Sequence, residues 1–342
     1  MGKKRESAIG NRETDRPENE ARPSNQQGAI ADSGLPIADV VPNAGYHIPV
    51  LLSEVLEGLA IRPEGTYVDC TFGGGGHSSH ILKALGPKGR LLVFDQDADA
   101  ARNVPDDPRV TFVPHNFRHL KRFLQLHGAP VVDGLLADLG VSSHQFDEAG
   151  RGFSTRFEAK LDMRMDQRQG KTAADILQTY SEGELHKLLE QYGEVTNSKT
   201  LARTIVEVRK TTAMDTTLAF RNAVSSVVKG NPNKYFAQVF QALRIEVNDE
   251  MGALKELLEA VPAVLAPGGR AAIITFHSLE DRLVKVFFRN GTFEAEEEHP
   301  FESRKRDNPL RLVNKKPIEA TAEEQKRNPR SRSAKLRVAE KL

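Results

Sequence analysis

The chain has 342 residues, of which 39% are apolar and 28% are charged. This length suits two domains, or one large domain with an insertion, and the apolar content excludes disorder of the whole chain. No run approaches the ~18 consecutive apolar residues of a membrane span, and the N-terminus lacks the apolar segment of a secretory signal. With Cys70 as the single cysteine, no intramolecular disulfide and no Cys-based zinc or iron–sulfur site can form. We expect a soluble cytoplasmic protein.

Charge is distributed unevenly along the chain, although the net charge is only +1. Residues 1–44 carry six Lys/Arg and seven Asp/Glu with few core-forming side chains, a composition that predicts a disordered tail. Residues 303–342 carry thirteen Lys/Arg against five Asp/Glu. Such a basic stretch is more often a solvated surface than a nucleic-acid site, and it becomes a candidate for RNA binding only if it lies beside a cleft.

Short apolar runs alternate with helical segments between residues 66 and 140. Strands that are apolar throughout and alternate with helices indicate a parallel sheet covered on both faces. This is the doubly wound α/β class, in which ligands bind at the carboxyl ends of the strands. The predicted strands are TYVDCTF (66–72), RLLVFD (90–95), RVTFV (109–113) and VDGLLADL (132–139).

Strand signals disappear between about residues 150 and 250, where helical periodicity takes over. Ser181 and Glu184 form a capping box ahead of one such helix. After this region, RAAIITFHSLEDRLVKVFF reads as a buried strand that passes into a helix, and SAKLRVAE alternates as a closing strand would. We therefore predict an α/β domain split into 45–145 and 250–342, with an inserted all-α domain over 146–249.

The turn after the first predicted strand is rich in glycine and follows an acidic residue. Asp69 precedes Gly73 by four residues, and Asp95 closes the second strand 22 residues after Gly73, where a carboxylate can accept both hydroxyls of an adenosine ribose. S-adenosylmethionine suits this pattern better than a nicotinamide dinucleotide does. The cationic amino group of S-adenosylmethionine could pair with Asp69. Ser78 also occupies the position at which the dinucleotide fingerprint has its third Gly or Ala. A structural turn that binds nothing is the remaining alternative.

Other polar and aromatic side chains follow the later strands and therefore face the same crevice. Phe117 could flank adenine or simply belong to the core, and Asp138 is either a site residue or a helix cap. His277 ends the fifth strand and could contact substrate, while Ser278 with Asp281 reads as an ordinary helix N-cap. His77 and His80 are one turn apart but lack a third ligand, so we expect no metal.

Taken together, these motifs resemble the bacterial small-subunit ribosomal RNA (cytosine-N(4))-methyltransferase family, RsmH/MraW. The resemblance extends from Tyr46 to the C-terminus. It rests on DCTFGGGGHS (69–78), LADLGVSSHQ (136–145), the RGFS…LDMRMD segment from Arg151 to Asp166, YGE (192–194), FQALRIEVN (240–248), APGGR (266–270), FHSLEDR (276–282) and NPRSRSAKLRVAE (328–340).

The resemblance implies a Rossmann-like class I S-adenosylmethionine-dependent methyltransferase sheet with an inserted all-α domain. It also implies methylation of the N(4) amine of a decoding-centre cytidine in 16S rRNA of the small ribosomal subunit. Asp138 and His277 are the candidate catalytic residues, and a homodimer is a further possibility. The implied cofactor contacts are Gly75, Gly76, His77, Asp95, Phe117, Asp138 and Gln145.

We expect the basic C-terminal region to contact rRNA phosphates beside the crevice. Because SAKLRVAE alternates, Lys335 and Arg337 should form a basic row opposite Leu336 and Val338. The full set of predicted phosphate contacts is Arg327, Arg330, Arg332, Lys335 and Arg337. Two other functions stay open at this point: a nicotinamide-dependent dehydrogenase and a non-enzymatic rRNA-binding assembly factor.

Overall fold

The computed structural model describes residues 49–168, 170–293 and 308–342. The predicted tail, residues 1–44, lies outside the described residues. Within them, eight strands form one sheet in the order β3-β2-β1-β4-β5-β8-β6, with β7 also paired to β8. The strands are β1 (Thr66–Asp69), β2 (Arg90–Phe94), β3 (Val110–Val113), β4 (Val132–Asp138), β5 (Leu265–Thr275), β6 (Leu310–Leu312), β7 (Ile318–Glu319) and β8 (Lys335–Lys341).

Strands β1 to β5 pair in parallel, and β8 runs antiparallel to β5. The predicted α/β class is therefore confirmed. Each predicted strand is present within a few residues of its expected bounds. The short strands β6 and β7 were not predicted, because segments of three and two residues are too short for a periodic signal.

Twelve α-helices accompany the sheet in the described part of the chain. None of them is both long and apolar enough to span a membrane. They are α1 (Leu52–Leu59), α2 (Gly76–Ala84), α3 (Leu120–Leu126), α4 (Ser143–Asp147), α5 (Ala173–Thr179), α6 (Glu182–Gln191), α7 (Ser198–Val208), α8 (Thr217–Ala223), α9 (Pro232–Asn248), α10 (Glu250–Val264), α11 (Ser278–Asn290) and α12 (Ala322–Arg327).

Both faces of the sheet are buried in hydrophobic clusters. Val68 and Leu92 pack in a cluster with side chains from α10 and α11, whereas the preceding residues, Tyr67 and Leu91, pack in a cluster with side chains from α1 and α2. Successive residues of a strand point to opposite faces, so strands covered on both sides must be apolar at every position. This is the physical origin of the continuous apolar runs in the sequence.

Helices α5 to α9 enclose a third hydrophobic cluster of their own. The predicted capping box is present at the start of α6, where the Ser181 hydroxyl accepts from the Glu184 backbone N–H and the Glu184 carboxylate accepts in return. A separate core is what an inserted domain requires. The division into a split α/β domain and a helical domain over 146–249 nevertheless stays a prediction.

The predicted basic row on β8 is wrong at Arg337. The strand exists, and its alternation places Arg337 opposite Leu336 and Val338 as expected. However, β8 lies between β5 and β6 inside the sheet, and Arg337 is only 4% exposed. Its guanidinium donates to both carboxylate oxygens of Asp281 on α11, at 2.7 and 3.1 Å. Because α11 covers this face, Arg337 is a buried structural cation and not an RNA contact.

The predicted N-cap of α11 is displaced by one residue. His277, and not Ser278, is the N-cap, and it forms a capping box with Glu280. Asp281, which the sequence paired with Ser278, binds Arg337 instead.

Candidate cofactor and substrate cavity

The carboxyl ends of β1 to β5 surround a cavity of about 1260 Å³. Its walls come from the turn after each of these strands and from α9, α10 and the segment around α12. Six of the predicted cofactor residues line it, namely Gly76, His77, Asp95, Phe117, Asp138 and Gln145. Gly75 and His277 are not among the lining residues.

The glycine-rich turn after β1 is shaped by backbone conformations that favour glycine. Gly73 and Gly75 have φ of +52° and +75°, in the left-handed region that other residues rarely adopt. Gly75 is the N-cap of α2, so this glycine shapes the start of the helix although it does not line the cavity. The turn brings backbone close to whatever occupies the cavity.

Asp95 lies at the end of β2 and holds the glycine-rich turn in place. Its carboxylate oxygens accept from the backbone N–H groups of Gly73 at 2.7 Å and Asp97 at 2.8 Å. Burial raises the pKa of Asp95 to about 6, although both hydrogen bonds oppose the shift. Each carboxylate oxygen has a further lone pair. Asp95 can therefore accept hydrogen bonds from ribose hydroxyls while it keeps its bonds to the backbone of the turn.

Asp69 does not have the position that the sequence suggested. It is 2% exposed and is not among the residues that line the cavity. Its carboxylate instead accepts from the Ser78 hydroxyl at 2.7 Å and from the Thr71 backbone N–H at 3.0 Å. Ser78, the residue that departs from the dinucleotide fingerprint, is thus the hydrogen-bond partner of Asp69. Together they stabilise the glycine-rich turn.

Asp138, the last residue of β4, lines the cavity, and its side chain is 26% exposed. Its Oδ1 is buried and has no hydrogen-bond partner in the described structure. Burial raises the pKa of this carboxyl to about 6, and the charges of Asp69 and Glu280 act in the same direction while His77 opposes them. Because Oδ1 is closed to solvent while the side chain is partly exposed, Oδ2 is the carboxylate oxygen that a ligand in the cavity can reach.

His77 lies beside Asp138 and its hydrogen bond defines its tautomer. Its Nε2 is 2.9 Å from the backbone oxygen of Val50, which can only accept, so Nε2 carries a proton. Its Nδ1 faces Asp138 Oδ2 at 3.6 Å. His77 is only 6% exposed. The main chain holds its Nε2 in place, and its Nδ1 faces the Asp138 carboxylate.

A buried polar network behind the cavity escaped the sequence analysis. Asp97 accepts from Gln145 Nε2 at 2.8 Å and from the Arg151 guanidinium at 2.9 Å. Arg151 in turn donates to the backbone oxygens of Arg164 and Met165. The network ties the second strand, α4 and the LDMRMD segment together. The only signal in the sequence was the second acid of Asp95-Gln-Asp97, which no motif singled out.

Two other predicted residues have structural roles in addition to their proposed ones. Phe117 lines the cavity and also packs against the hydrophobic core, and its place beside adenine stays a prediction. His277 caps α11, and its Nε2 lies 3.2 Å from Glu280 Oε1. The structure does not bring His277 to the cavity wall.

Glu250, His277 and Glu280 form the one group in the described residues whose ligand atoms could converge on a metal ion, within 4.8 Å of one another. Arg244 already pairs with Glu250 through two hydrogen bonds, at 2.7 and 2.9 Å. A cationic side chain therefore occupies part of the space around these acids. The expected absence of a metal stays a prediction.

Comparison with known proteins identifies the family. The MraW methylase family matches residues 44–342. The chain belongs to this family. A ribosomal RNA small subunit methyltransferase H from Parabacteroides distasonis is 57% identical over 87% of this chain and 98% of its own length. One of the same name from Bacteroides thetaiotaomicron is 53% identical over 86% of this chain and 97% of its own length.

Among solved structures, TrmN from Thermus thermophilus matches with a TM-score of 0.39 and 15% identity, over 85% of this chain and 48% of that one.

The residues around the cavity suit the methyl donor of an MraW methylase, S-adenosylmethionine. The glycine-rich turn admits close backbone approach, Asp95 can accept ribose hydroxyls, and Phe117 offers a ring beside them. The Asp138 carboxylate also lines the cavity, and a positive charge near it stabilises its ionised form.

Replacing Asp95 with alanine should weaken S-adenosylmethionine binding by roughly 1–3 kcal/mol, as expected when a charged hydrogen-bond acceptor is lost. Isothermal titration calorimetry measures the change directly. Asp106→Ala is the matched control, because Asp106 is an exposed aspartate that does not line the cavity. Unchanged affinity in a folded Asp95→Ala protein would remove Asp95 from the cofactor site.

Proposed function

We propose that this protein transfers the methyl group of S-adenosylmethionine to the exocyclic N(4) amine of a decoding-centre cytidine in 16S rRNA of the small ribosomal subunit. Membership of the MraW methylase family and the names of the relatives support methylation of small-subunit rRNA. The observation that carries the choice of an amine is the position of Asp138, a partly exposed carboxylate at the carboxyl end of β4 that lines the cavity.

The chemistry of the amine explains why an acceptor is needed. The lone pair of a cytosine amine is delocalised into the ring, so the nitrogen is a poor nucleophile until an acceptor draws on one of its N–H bonds. Asp138 supplies that acceptor and takes the proton that the methylated nitrogen must lose. The cofactor supplies an electrophilic methyl group on a sulfonium. Direct transfer needs no covalent intermediate, and positioning and electrostatics provide most of the acceleration.

Cys70 has the wrong environment for the alternative chemistry, methylation of a ring carbon through a thiolate. It lines the cavity, but it is only 2% exposed, and burial raises the pKa of its thiol well above the usual range, with the Asp69 charge acting in the same direction. A thiol that stays protonated is a weak nucleophile.

Cys70→Ser should therefore keep methyl transfer within about tenfold of the wild type, since the amine route requires no thiolate. Cys70→Ala serves as a second variant, because a serine hydroxyl in this apolar position carries a desolvation cost of its own. Activities are compared at equal concentrations of folded protein. Complete loss of activity in both variants, with cofactor binding intact, would point to a different reaction.

The RNA side of the cavity has walls from several parts of the chain. Met165 of the LDMRMD segment and Arg244 and Asn248 of α9 line it, and we assign them to the pocket that receives the target base. That base must leave its stack to reach the cavity, at a cost of a few kcal/mol. Of the predicted phosphate contacts, Arg327, Arg330, Arg332 and Lys335 remain in this role, whereas Arg337 does not.

The alternative functions are not favoured. A nicotinamide-dependent dehydrogenase is inconsistent with membership of a methylase family. A non-enzymatic assembly factor would not require a cavity that suits a cofactor. We further propose that the protein acts in the cytoplasm, where small subunits are assembled. A homodimer stays a prediction.

The decisive experiment is mass spectrometry of small-subunit rRNA from cells with and without the gene. We expect one cytidine to lose one N(4)-methyl group when the gene is absent. The purified protein with S-adenosylmethionine should restore that methyl group on the isolated subunits. An unchanged rRNA spectrum, or a methyl group on the ring carbon, would contradict the proposal.

A further inference from the structure

One aromatic ring at the cavity wall holds two arginines from distant parts of the chain. Phe146 belongs to α4, Arg156 follows ten residues later, and Arg330 comes from the short helical turn after α12. The guanidinium carbons of Arg156 and Arg330 each lie 5.8 Å from the centroid of the Phe146 ring. All three side chains line the cavity.

The two arginines differ in how their charge is compensated. Arg330 pairs with Asp147 at 2.8 Å. Arg156 is exposed and makes no ion pair with any residue that the structure describes. Contact with an aromatic face orients a guanidinium and leaves its charge and its hydrogen-bond donors available. Arg156 is therefore held in place without being neutralised.

We propose that Arg156 and Arg330, held on Phe146, form a clamp for the phosphates that flank the target nucleotide. The proposal rests on the proposed function, because it requires an RNA strand at the cavity. A target base leaves its stack by rotation about its backbone, which brings the flanking phosphates close to the cavity. Planar guanidinium groups bind phosphate oxygens in pairs. Two such groups on one ring are suitably close for neighbouring phosphates of a single strand.

The positions of the three residues explain why a ring is needed at this place. Arg156 lies between α4 and the LDMRMD segment, whereas Arg330 belongs to the C-terminal region, 174 positions further on. Long arginine side chains lose much conformational entropy when they are ordered by a ligand. Phe146 reduces that loss for both, so that the clamp is preorganised before RNA arrives.

The charge pattern favours an RNA backbone over an acidic protein segment. Arg327 also lines the cavity and, like Arg156, makes no ion pair with a described residue. Three arginines thus line the same cavity as Asp138. A nucleotide strand brings anions for the arginines and an uncharged base for Asp138, whereas an acidic side chain would bring a second carboxylate toward Asp138.

The test measures binding to small ribosomal subunits from cells that lack the gene, at several salt concentrations. Arg156→Ala should weaken binding about fivefold or more at low salt. It should also reduce the slope of log affinity against log salt by about 0.7–0.9, the release expected for one phosphate contact. The control is Arg122→Ala, since Arg122 is an exposed arginine over a phenylalanine ring, Phe123, but does not line the cavity; it should change neither quantity.

A second variant tests the role of the ring. Phe146→Leu keeps an apolar side chain and removes the aromatic face, so it should weaken subunit binding in the wild-type background and have little further effect in the Arg156→Ala, Arg330→Ala double variant. Cofactor affinity should stay unchanged in Arg156→Ala.

Three results would overturn the clamp: an unaltered salt slope in Arg156→Ala, additive effects of the ring and the arginines, or a loss of cofactor affinity that equals the loss of subunit binding. Wild-type protein that neither binds nor methylates subunits would instead refute the proposed function. An active wild type with an unaffected Arg156→Ala variant refutes the clamp alone.

Discussion

Asp138→Asn should lower the rate of methyl transfer by about 10²–10⁴-fold, the range expected when a positioned proton acceptor is lost. The substitution preserves the size of the side chain but removes the charge that takes the amine proton. Rates are measured at saturating cofactor and saturating subunits, so that weaker binding of either does not enter. Asp133→Asn is the matched control, because Asp133 lies on the same strand and does not line the cavity.

The pH profile separates Asp138 from the other buried carboxyl. Asp138 must be ionised to accept a proton, and burial raises its pKa from its ordinary value of 3.8 to about 6. Activity of the wild type should therefore fall as the pH decreases through about 6. The pKa of Asp95 is also raised to about 6. Any decrease in activity at low pH that comes from Asp95 should therefore persist in the Asp138→Asn variant. An Asn variant with wild-type rates would contradict the role of Asp138.

The parallel sheet was predictable because it is buried on both faces. Tyr67 and Val68 pack into different clusters, so both positions had to be apolar, and the resulting runs were visible without any structure. The same logic located Asp95 and Asp138, since a carboxylate directly after such a run must lie at the carboxyl edge of the sheet.

The contacts that the sequence did not predict are those between residues far apart in the chain. Asp97 and Arg151 are separated by 54 positions, and no periodic pattern links them. Asp69 was placed correctly on its strand, but the choice between the cavity and the underside of the turn depends on where Ser78 lies. Alternation assigned Arg337 to the correct face of β8 and could not show that α11 covers that face.

Arg337→Ala should destabilise the protein by about 3–5 kcal/mol, the cost of removing one partner from a buried ion pair. The side chains of Arg337 and Asp281 are only 5% and 15% exposed, so the remaining carboxylate would stay largely desolvated. Urea unfolding measures the loss. Arg332→Ala, at an exposed position, should change stability by no more than about 0.5 kcal/mol.

The companion variant and the RNA measurement separate a structural cation from an RNA contact. Arg337→Ala combined with Asp281→Ala should cost less than the sum of the two single changes, because removing both partners leaves no unpaired charge. Folded Arg337→Ala should also keep the wild-type salt dependence of subunit binding, since a buried guanidinium releases no counterions from RNA. If Arg337→Ala reduced the salt dependence of subunit binding and left the free energy of unfolding unchanged, Arg337 would be an RNA contact, as its position in the sequence suggested.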